Sequence, residues 1–301
     1  MEVKRDNAFQ QAIRCLPPLR ASQLAALEEQ ETAEEVRFRA GRPPAVKTMS
    51  GERELPLPPV SADELREILS RAARYSVHSY TESLKHGFIT LTGGHRLGVC
   101  GTAAGENGQV IGGRGLSSLN VRIARQIRAL EAEVASWIST GRPQSVLLVS
   151  PPGYGKTTLL REWVRQVSGQ GRTVAVADER GEIAALSGGV PQFDIGGCTD
   201  VLEGCPKKQA ALMLLKTMSP ELIAFDEITA PEDVEAVSLC AHCGTAVLAS
   251  AHAADVDDLC RRPLYRALLA LQVFDCAVVI EKQDGQRVYR KKGLEDIACS
   301  N

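Results

Sequence analysis

Val146 to Glu162 read VLLVSPPGYGKTTLLRE, an apolar run, a turn rich in Pro and Gly, Lys-Thr, and then an apolar helix. That order is the one a phosphate-binding loop requires. The usual pattern is Gly, four free residues, then Gly-Lys-Thr. Gly155, Lys156 and Thr157 supply the second half, while Ser150 stands where the first Gly is customary. The turn must aim backbone N–H groups at phosphate oxygens, with a helix opening behind them so that its positive end faces the anion. Gly153 and Gly155 give the turn access to φ > 0 and leave room for close approach. Ser150 precedes the tightest part of the turn, where a hydroxymethyl group costs little if φ is negative, so the departure reads as mild. The bland alternative is a glycine-rich strand-to-helix turn that binds nothing.

The segment from about Gly141 to the end alternates strand and helix, the rhythm of a parallel sheet covered on both faces. Strands are expected at 145–149, 173–177, 222–225, 245–248 and 277–281. Asp284-Gly285 then turns the chain into an antiparallel partner at 287–290. Ligands of such sheets lie beyond the carboxyl ends of the strands, so the polar residues there are the candidates. Pro152, Gly153, Tyr154, Gly155, Lys156, Thr157 and Thr158 form the nucleotide-binding set. Lys156 is suited to the β- and γ-phosphates of ATP, and the Thr157 hydroxyl to Mg²⁺. ELIAFDEI ends in Asp226, suited to hold Mg²⁺ through its water shell, and Glu227, suited to orient or deprotonate the attacking water. VAVADERGEIA places Asp178, Glu179 and Glu182 after the preceding strand. They could bind metal or polarise water, or merely form an acidic cluster at a helix start. His252, just past the fourth of these strands, is a candidate sensor of the γ-phosphate.

At 301 residues the chain has length for about two domains, and its 44% apolar residues can fill two cores. The 35 basic and 37 acidic residues nearly cancel, so no general electrostatic grip on nucleic acid or anionic membrane is indicated. The polar opening MEVKRDNAFQQAIRC and the lack of any run approaching ~18 apolar residues read as a soluble chain. Nine scattered cysteines fit thiols in a reducing compartment. Cys240 and Cys243 form a C-x-x-C with no second pair to complete a zinc site, and buried thiols are the simpler account.

Residues 1–140 lack the βαβ rhythm and read as a smaller α+β domain and linker preceding the phosphate-loop domain, 141–301. ASQLAALEEQETAEE reads as a helix and EEVRFRAGRPPAVKT as a strand running into a Pro-rich turn. SADELREILSRAARYS carries Ser61 and Glu64 at capping-box spacing and puts Leu65, Ile68, Leu69 and Ala72 on one face. Strands follow about Gly93-Gly94 and at 120–124, and RALEAEVASWIST reads as a helix before the boundary.

The blocks GYGKTT, ADERGEIA, DVLEGCPKKQA, MSPELIAFDEI, SAHA and DLCRRPLYRALLALQVFDCAVV resemble the stage III sporulation protein AA family. FRAGRPP, YSVHSYTESLKHGFITLTGGHRLGVCG and SSLNVRIAR are similar to the same family, so the likeness covers nearly the whole chain. That family in turn resembles the motor ATPases of type II and type IV secretion and pili. The resemblance implies a P-loop NTPase of RecA-like/AAA-type fold with a mainly parallel sheet, hydrolysing ATP with Mg²⁺ as a hexameric ring. It further implies an AAA+ secretion-type ATPase of sporulation, cytoplasmic in the mother cell and peripheral to the membrane. There it would dock on membrane proteins of a channel to the forespore. By the same resemblance ADERGEIA corresponds to an aspartate box and SAHA to a histidine box. Arginines preceding the motor domain would enter a neighbour's site, with Arg114, Arg122 and Arg125 as the candidates. A three-residue separation on a strand would turn Arg122 and Arg125 to opposite faces.

Two rival readings stand. One is an ATPase stimulated by nucleic acid, since Arg74 and His78 fit an R-x-x-x-H spacing. Near-neutral charge and 4% aromatics count against a stacking platform. The other is a nucleotide-gated scaffold with little turnover.

Overall fold

The computed structural model describes residues 7–73, 87–102, 115–126, 134, 136–138, 141–283 and 286–293. Arg74, His78 and Arg114 lie outside the described residues, as does most of RALEAEVASWIST.

Two compact units are present, Met1–Arg125 with Leu186–Gln192, and Gln126–Ala185 with Phe193–Asn301. The first holds helices α1 (Ala8–Ala12), α2 (Pro18–Ala25) and α3 (Ala62–Ala72). Its strands are β1 (Glu35–Arg39), β2 (Ala45–Thr48), β3 (Gly51–Glu54), β4 (Phe88–Thr90), β5 (Arg96–Gly101) and β6 (Leu116–Arg122). They form an antiparallel sheet in the order β3-β2-β1-β6-β5-β4. Along β1 Val36 and Phe38 are buried and their neighbours are not, the alternation of a sheet with one covered face. Leu65, Ile68, Leu69 and Ala72 of α3 are all buried, and Ser61 caps the helix by accepting the Glu64 N–H at 3.0 Å.

Three local readings need correction. The helix expected through ASQLAALEEQETAEE ends at Ala25, and Glu28–Glu31 forms only a 3₁₀ turn. Glu28, Glu29 and Glu31 crowd that stretch, and like charges one turn apart disfavour a helix. The Pro-rich turn after β1 is followed by a further strand, β2, which sequence reading passed over. The strand expected at 120–124 is β6, which ends at Arg122, so Arg125 lies beyond it and the opposite-faces argument does not apply.

The second unit begins with β7 (Val146–Val149), α4 (Lys156–Gly169) and β8 (Val174–Asp178). Between them in the chain and the next strand come the short β9 (Leu186–Ser187) and β10 (Val190–Pro191), which belong to the first unit. The second unit resumes with β11 (Thr199–Glu203), α5 (Lys207–Thr217), β12 (Leu222–Phe225), α6 (Pro231–His242) and β13 (Ala246–Ala251). It closes with α7 (Val256–Arg261), α8 (Pro263–Ala270), β14 (Cys276–Gln283) and β15 (Gln286–Gly293). The sheet order is β11-β8-β12-β13-β7-β14-β15, parallel except for the last pair. Every residue of β7, β8 and β12 is buried, as expected of parallel strands covered on both faces. β7 lies between β13 and β14, so its carboxyl end opens in the middle of the sheet.

Cys240 is buried in α6 with its thiol pushed up to about 12 by burial, whereas Cys243 is exposed at the helix end, and both are free. Among the described residues no helix is long and apolar enough to cross a membrane.

Candidate active site

β7 delivers the chain into Ser150 and the loop, and α4 opens at Lys156. Gly153 and Gly155 adopt φ of 77° and 98°, the left-handed region the turn demands. Ser150 is not among the residues with positive φ, and its side chain is fully buried. Its hydroxyl donates to Pro151 O at 3.0 Å. Lys156 Nζ donates to Ser150 O at 2.7 Å, Pro151 O at 3.1 Å and Ser150 Oγ at 3.3 Å. The lysine is therefore anchored mainly by loop carbonyls. Burial lowers its pKa to about 8, against the pull of Asp226 and Glu227.

Asp226 and Glu227 follow β12. Thr157 Oγ1 donates to Asp226 Oδ2 at 3.0 Å, and Ser250 Oγ donates to Asp226 Oδ1, also at 3.0 Å. Burial, reinforced by the charges of Glu182 and Asp178, raises Asp226 to about 6, while the two hydroxyls pull it down. A buried carboxylate in this condition gains from a divalent cation. Thr157 and Asp226 are oxygen donors of the kind Mg²⁺ takes, and Mg²⁺ is commonly bound by one or two carboxylates with substrate phosphates. The residues present fit that ion.

Glu227 has φ 46°, a conformation a non-glycine residue adopts at a cost on the order of 1–3 kcal/mol. Its N–H donates to Ser250 Oγ at 2.9 Å. Its carboxylate lies 3.0 Å from His252 Nδ1 and 3.1 Å from an Arg180 guanidinium nitrogen. The His252 pKa is lowered, first by burial and next by Lys156, with Glu227 acting in the opposite direction. Tyr265 joins the two strand ends, its hydroxyl accepting the His252 N–H and donating to Ile228 O, each at 3.1 Å.

The acidic run after β8 does two different things. Asp178 is fully buried and accepts the N–H groups of Glu182, Ile183 and Ala184 at 2.8, 3.0 and 2.8 Å, so it shapes the loop. Arg161 adds to this by donating to Ile183 O and Glu182 O at 2.7 and 2.6 Å. Glu179 pairs with the buried Lys207 at 2.6 Å. Of the predicted set, Thr157, Asp226, Glu227 and His252 are linked by these contacts, with Ser250 between the two acids, while Lys156 and Glu182 reach Asp226 through their charges. Thr158 lies in the first turn of α4, and Pro152 and Tyr154 stand in the loop. Arg122 and Arg125 belong to the first unit, where Arg122 is exposed and Arg125 donates to Ala33 O at 2.7 Å and Gln30 O at 2.9 Å. Sequence reasoning missed Ser250, Tyr265 and Arg180. Ser250 and Arg180 sit inside quoted motifs beside chosen residues, but Tyr265 gave no local signal.

The family model for sporulation stage III, protein AA matches residues 10–295. The stage III sporulation protein AA of Bacillus subtilis (strain 168) is 35% identical over 298 residues, covering 92% of this chain and 94% of the relative. Protein SEEDLING PLASTID DEVELOPMENT 1 of Arabidopsis thaliana is 27% identical over 260 residues, covering 85% of this chain and 35% of the relative. Among solved structures, the Legionella pneumophila ATPase DotB aligns with a TM-score of 0.61 at 14% identity, covering 92% of this chain and 81% of that one. The pilus retraction motor PilT with bound ADP aligns with a TM-score of 0.59 at 17% identity, covering 86% and 78%. These likenesses show that the chain shares the fold of those two proteins. The chain belongs to the sporulation stage III, protein AA family.

Proposed function

We propose that the chain is an ATP-hydrolysing motor of the secretion type, energising or assembling a channel between mother cell and forespore. It would act as a hexameric AAA+ ring in the mother-cell cytoplasm, held at the membrane by channel proteins. The observation that carries this reading is the linked set Thr157, Asp226, Ser250 and Glu227 at the carboxyl ends of adjacent parallel strands, with the Lys156 charge beside the two acids. The structural neighbours named as an ATPase and as a pilus motor with bound ADP support it.

Mg²⁺ neutralises charge on the β- and γ-phosphates when bound. Thr157 and Asp226 are the residues to hold it. Lys156 meets ground-state phosphate charge. Glu227 receives or orients the proton of the attacking water, held on one side by His252 and on the other by Arg180. Glu179, already engaged by Lys207, is less free for that task; Glu182 is the alternative base.

An arginine supplied by a neighbouring subunit would complete the site, worth on the order of 10³–10⁵ in rate. Arg122 is the better candidate, because Arg125 is held by two carbonyls of its own unit. The test is hydrolysis against protein concentration, together with mixing. Activity should rise more steeply than linearly, and an Arg122→Ala, Arg125→Ala double variant mixed with Lys156→Ala should recover part of the lost rate. Linear activity with no recovery defeats the shared site. Stimulation by single-stranded nucleic acid alone would favour the nucleic-acid reading, and nucleotide binding without turnover the scaffold.

A further inference from the structure

We propose that the terminal hairpin of β14 and β15 forms the nucleoside side of the nucleotide site, with Arg287 binding the α-phosphate and nucleoside end of the ligand. The proposal rests on the nucleotide reading of the phosphate loop given above. A Cβ placed on Gly155 would stand 2.9 Å from Arg287 Cζ, 3.1 Å from Nε and 3.2 Å from a terminal nitrogen. Three atoms of the guanidinium at nearly equal distance mean that its flat face lies against the loop backbone. Gly155 thus serves twice, through its φ of 98° and through the space it leaves for Arg287. On the facing strand, Lys282 Nζ stands 4.8 Å from the centre of the Tyr154 ring.

Lys282 and Arg287 are direct cross-strand partners, so both project from the same face of the hairpin. Like charges placed opposite one another destabilise a ladder. Among the described residues neither has an ion-pair partner, whereas Arg290 of the same strand pairs with Glu281 at 3.0 Å. Two unneutralised cations held side by side against a phosphate loop fit an anionic ligand, and a planar guanidinium can bind phosphate or stack on a base.

Topology sets which end of the ligand they meet. β13 flanks β7 on one side and β14 flanks it on the other. Asp226, Glu227, Ser250 and His252 all come from β12 and β13. The terminal phosphate and its attacking water face that side, so the α-phosphate, ribose and base extend toward the hairpin.

The test is a fluorescence titration of the full chain with ADP and with a non-hydrolysable ATP analogue. Arg287→Ala should weaken both by the same factor, about tenfold for loss of a charge-assisted contact. Lys282→Ala should weaken both to a smaller degree, and Arg290→Ala should match the unaltered chain. Should Arg287→Ala fail to fold, Arg287→Gln is measured in its place. Unchanged ADP affinity in the Arg287 variant overturns the proposal, and so does a loss confined to the ATP analogue, which would put Arg287 at the γ-phosphate. If the unaltered chain binds both nucleotides and the variant matches it, only the hairpin proposal falls; if the unaltered chain binds neither, the loop reading falls with it.

Discussion

Ser250 is tied to Asp226 by a 3.0 Å hydrogen bond from its Oγ to Oδ1, and Ser250 Oγ in turn accepts the Glu227 N–H at 2.9 Å. One hydroxyl on β13 therefore fixes both acidic residues that leave β12. Ser250→Ala removes the acceptor that holds Glu227 at positive φ and a hydrogen bond that favours ionised Asp226. Stability should fall by about 1–3 kcal/mol, read from denaturant unfolding. Half-maximal hydrolysis should need several-fold more Mg²⁺, because Asp226 is then harder to ionise at neutral pH.

Lys156→Ala and Glu227→Gln should separate binding from chemistry. In the proposed mechanism the lysine meets phosphate in the ground state, so its loss should abolish nucleotide binding. In the same mechanism the glutamate acts on the attacking water, so Glu227→Gln should bind ATP and hydrolyse it about 10²-fold or more slowly. Binding titrations beside single-turnover hydrolysis check this. A normal rate in Glu227→Gln moves the base to Glu182 or Glu179.

Ser150→Gly restores the customary first glycine of the loop. The closest partner of Lys156 Nζ is the Ser150 carbonyl, at 2.7 Å, which a glycine keeps, whereas the hydroxyl is at 3.3 Å. ATP affinity should stay within a few-fold, an effect of about 1 kcal/mol or less. A change of tenfold or more in titration would mean that the hydroxyl sets the loop.

His95 predicts a pH dependence of stability from the first unit. It is fully buried, with Nδ1 accepting the Ala124 N–H at 3.0 Å. Burial, and secondarily the Arg125 charge, lower its pKa from 6.5 to about 4. The unfolded chain therefore takes up a proton that the folded chain refuses. The contribution is fully present above about pH 6.5 and is lost as pH falls toward 4, on the order of 3 kcal/mol in all. Melting followed from pH 7.5 to 4.5 should show this fall. His95→Asn, which can keep an acceptor without titrating, should show a shallower one.

The phosphate loop and the strand ends were legible because each is a local pattern. An apolar run that stops at a polar residue marks both the strand and the place where a ligand can reach it, which is how 222–225 and Asp226-Glu227 were found. β11 was not read as a strand, because TDVLE has little apolar character. It lies at the sheet edge with its side chains only partly covered, so burial placed little demand on its sequence. Leu186–Gln192 belongs to the first unit although its neighbours in the chain belong to the second, and the order of residues carries no trace of that.

The sequence by itself determined the parallel-sheet class and the places of the glycine-rich loop, the acidic pair and the histidine at strand ends, since backbone freedom at glycine and the burial of apolar runs act over a few residues. Tertiary structure alone decided how these are held. Ser250 meets Asp226 because β12 and β13 are parallel neighbours in register. Tyr265 binds His252 and Ile228 because α8 returns over both strand ends, and Arg287 reaches Gly155 because β14 pairs with β7. Those contacts span 13 to 132 positions along the chain, as the residue numbers show. A hydrogen bond or a guanidinium face depends on ångström distances in space, and no local spacing in a sequence encodes them.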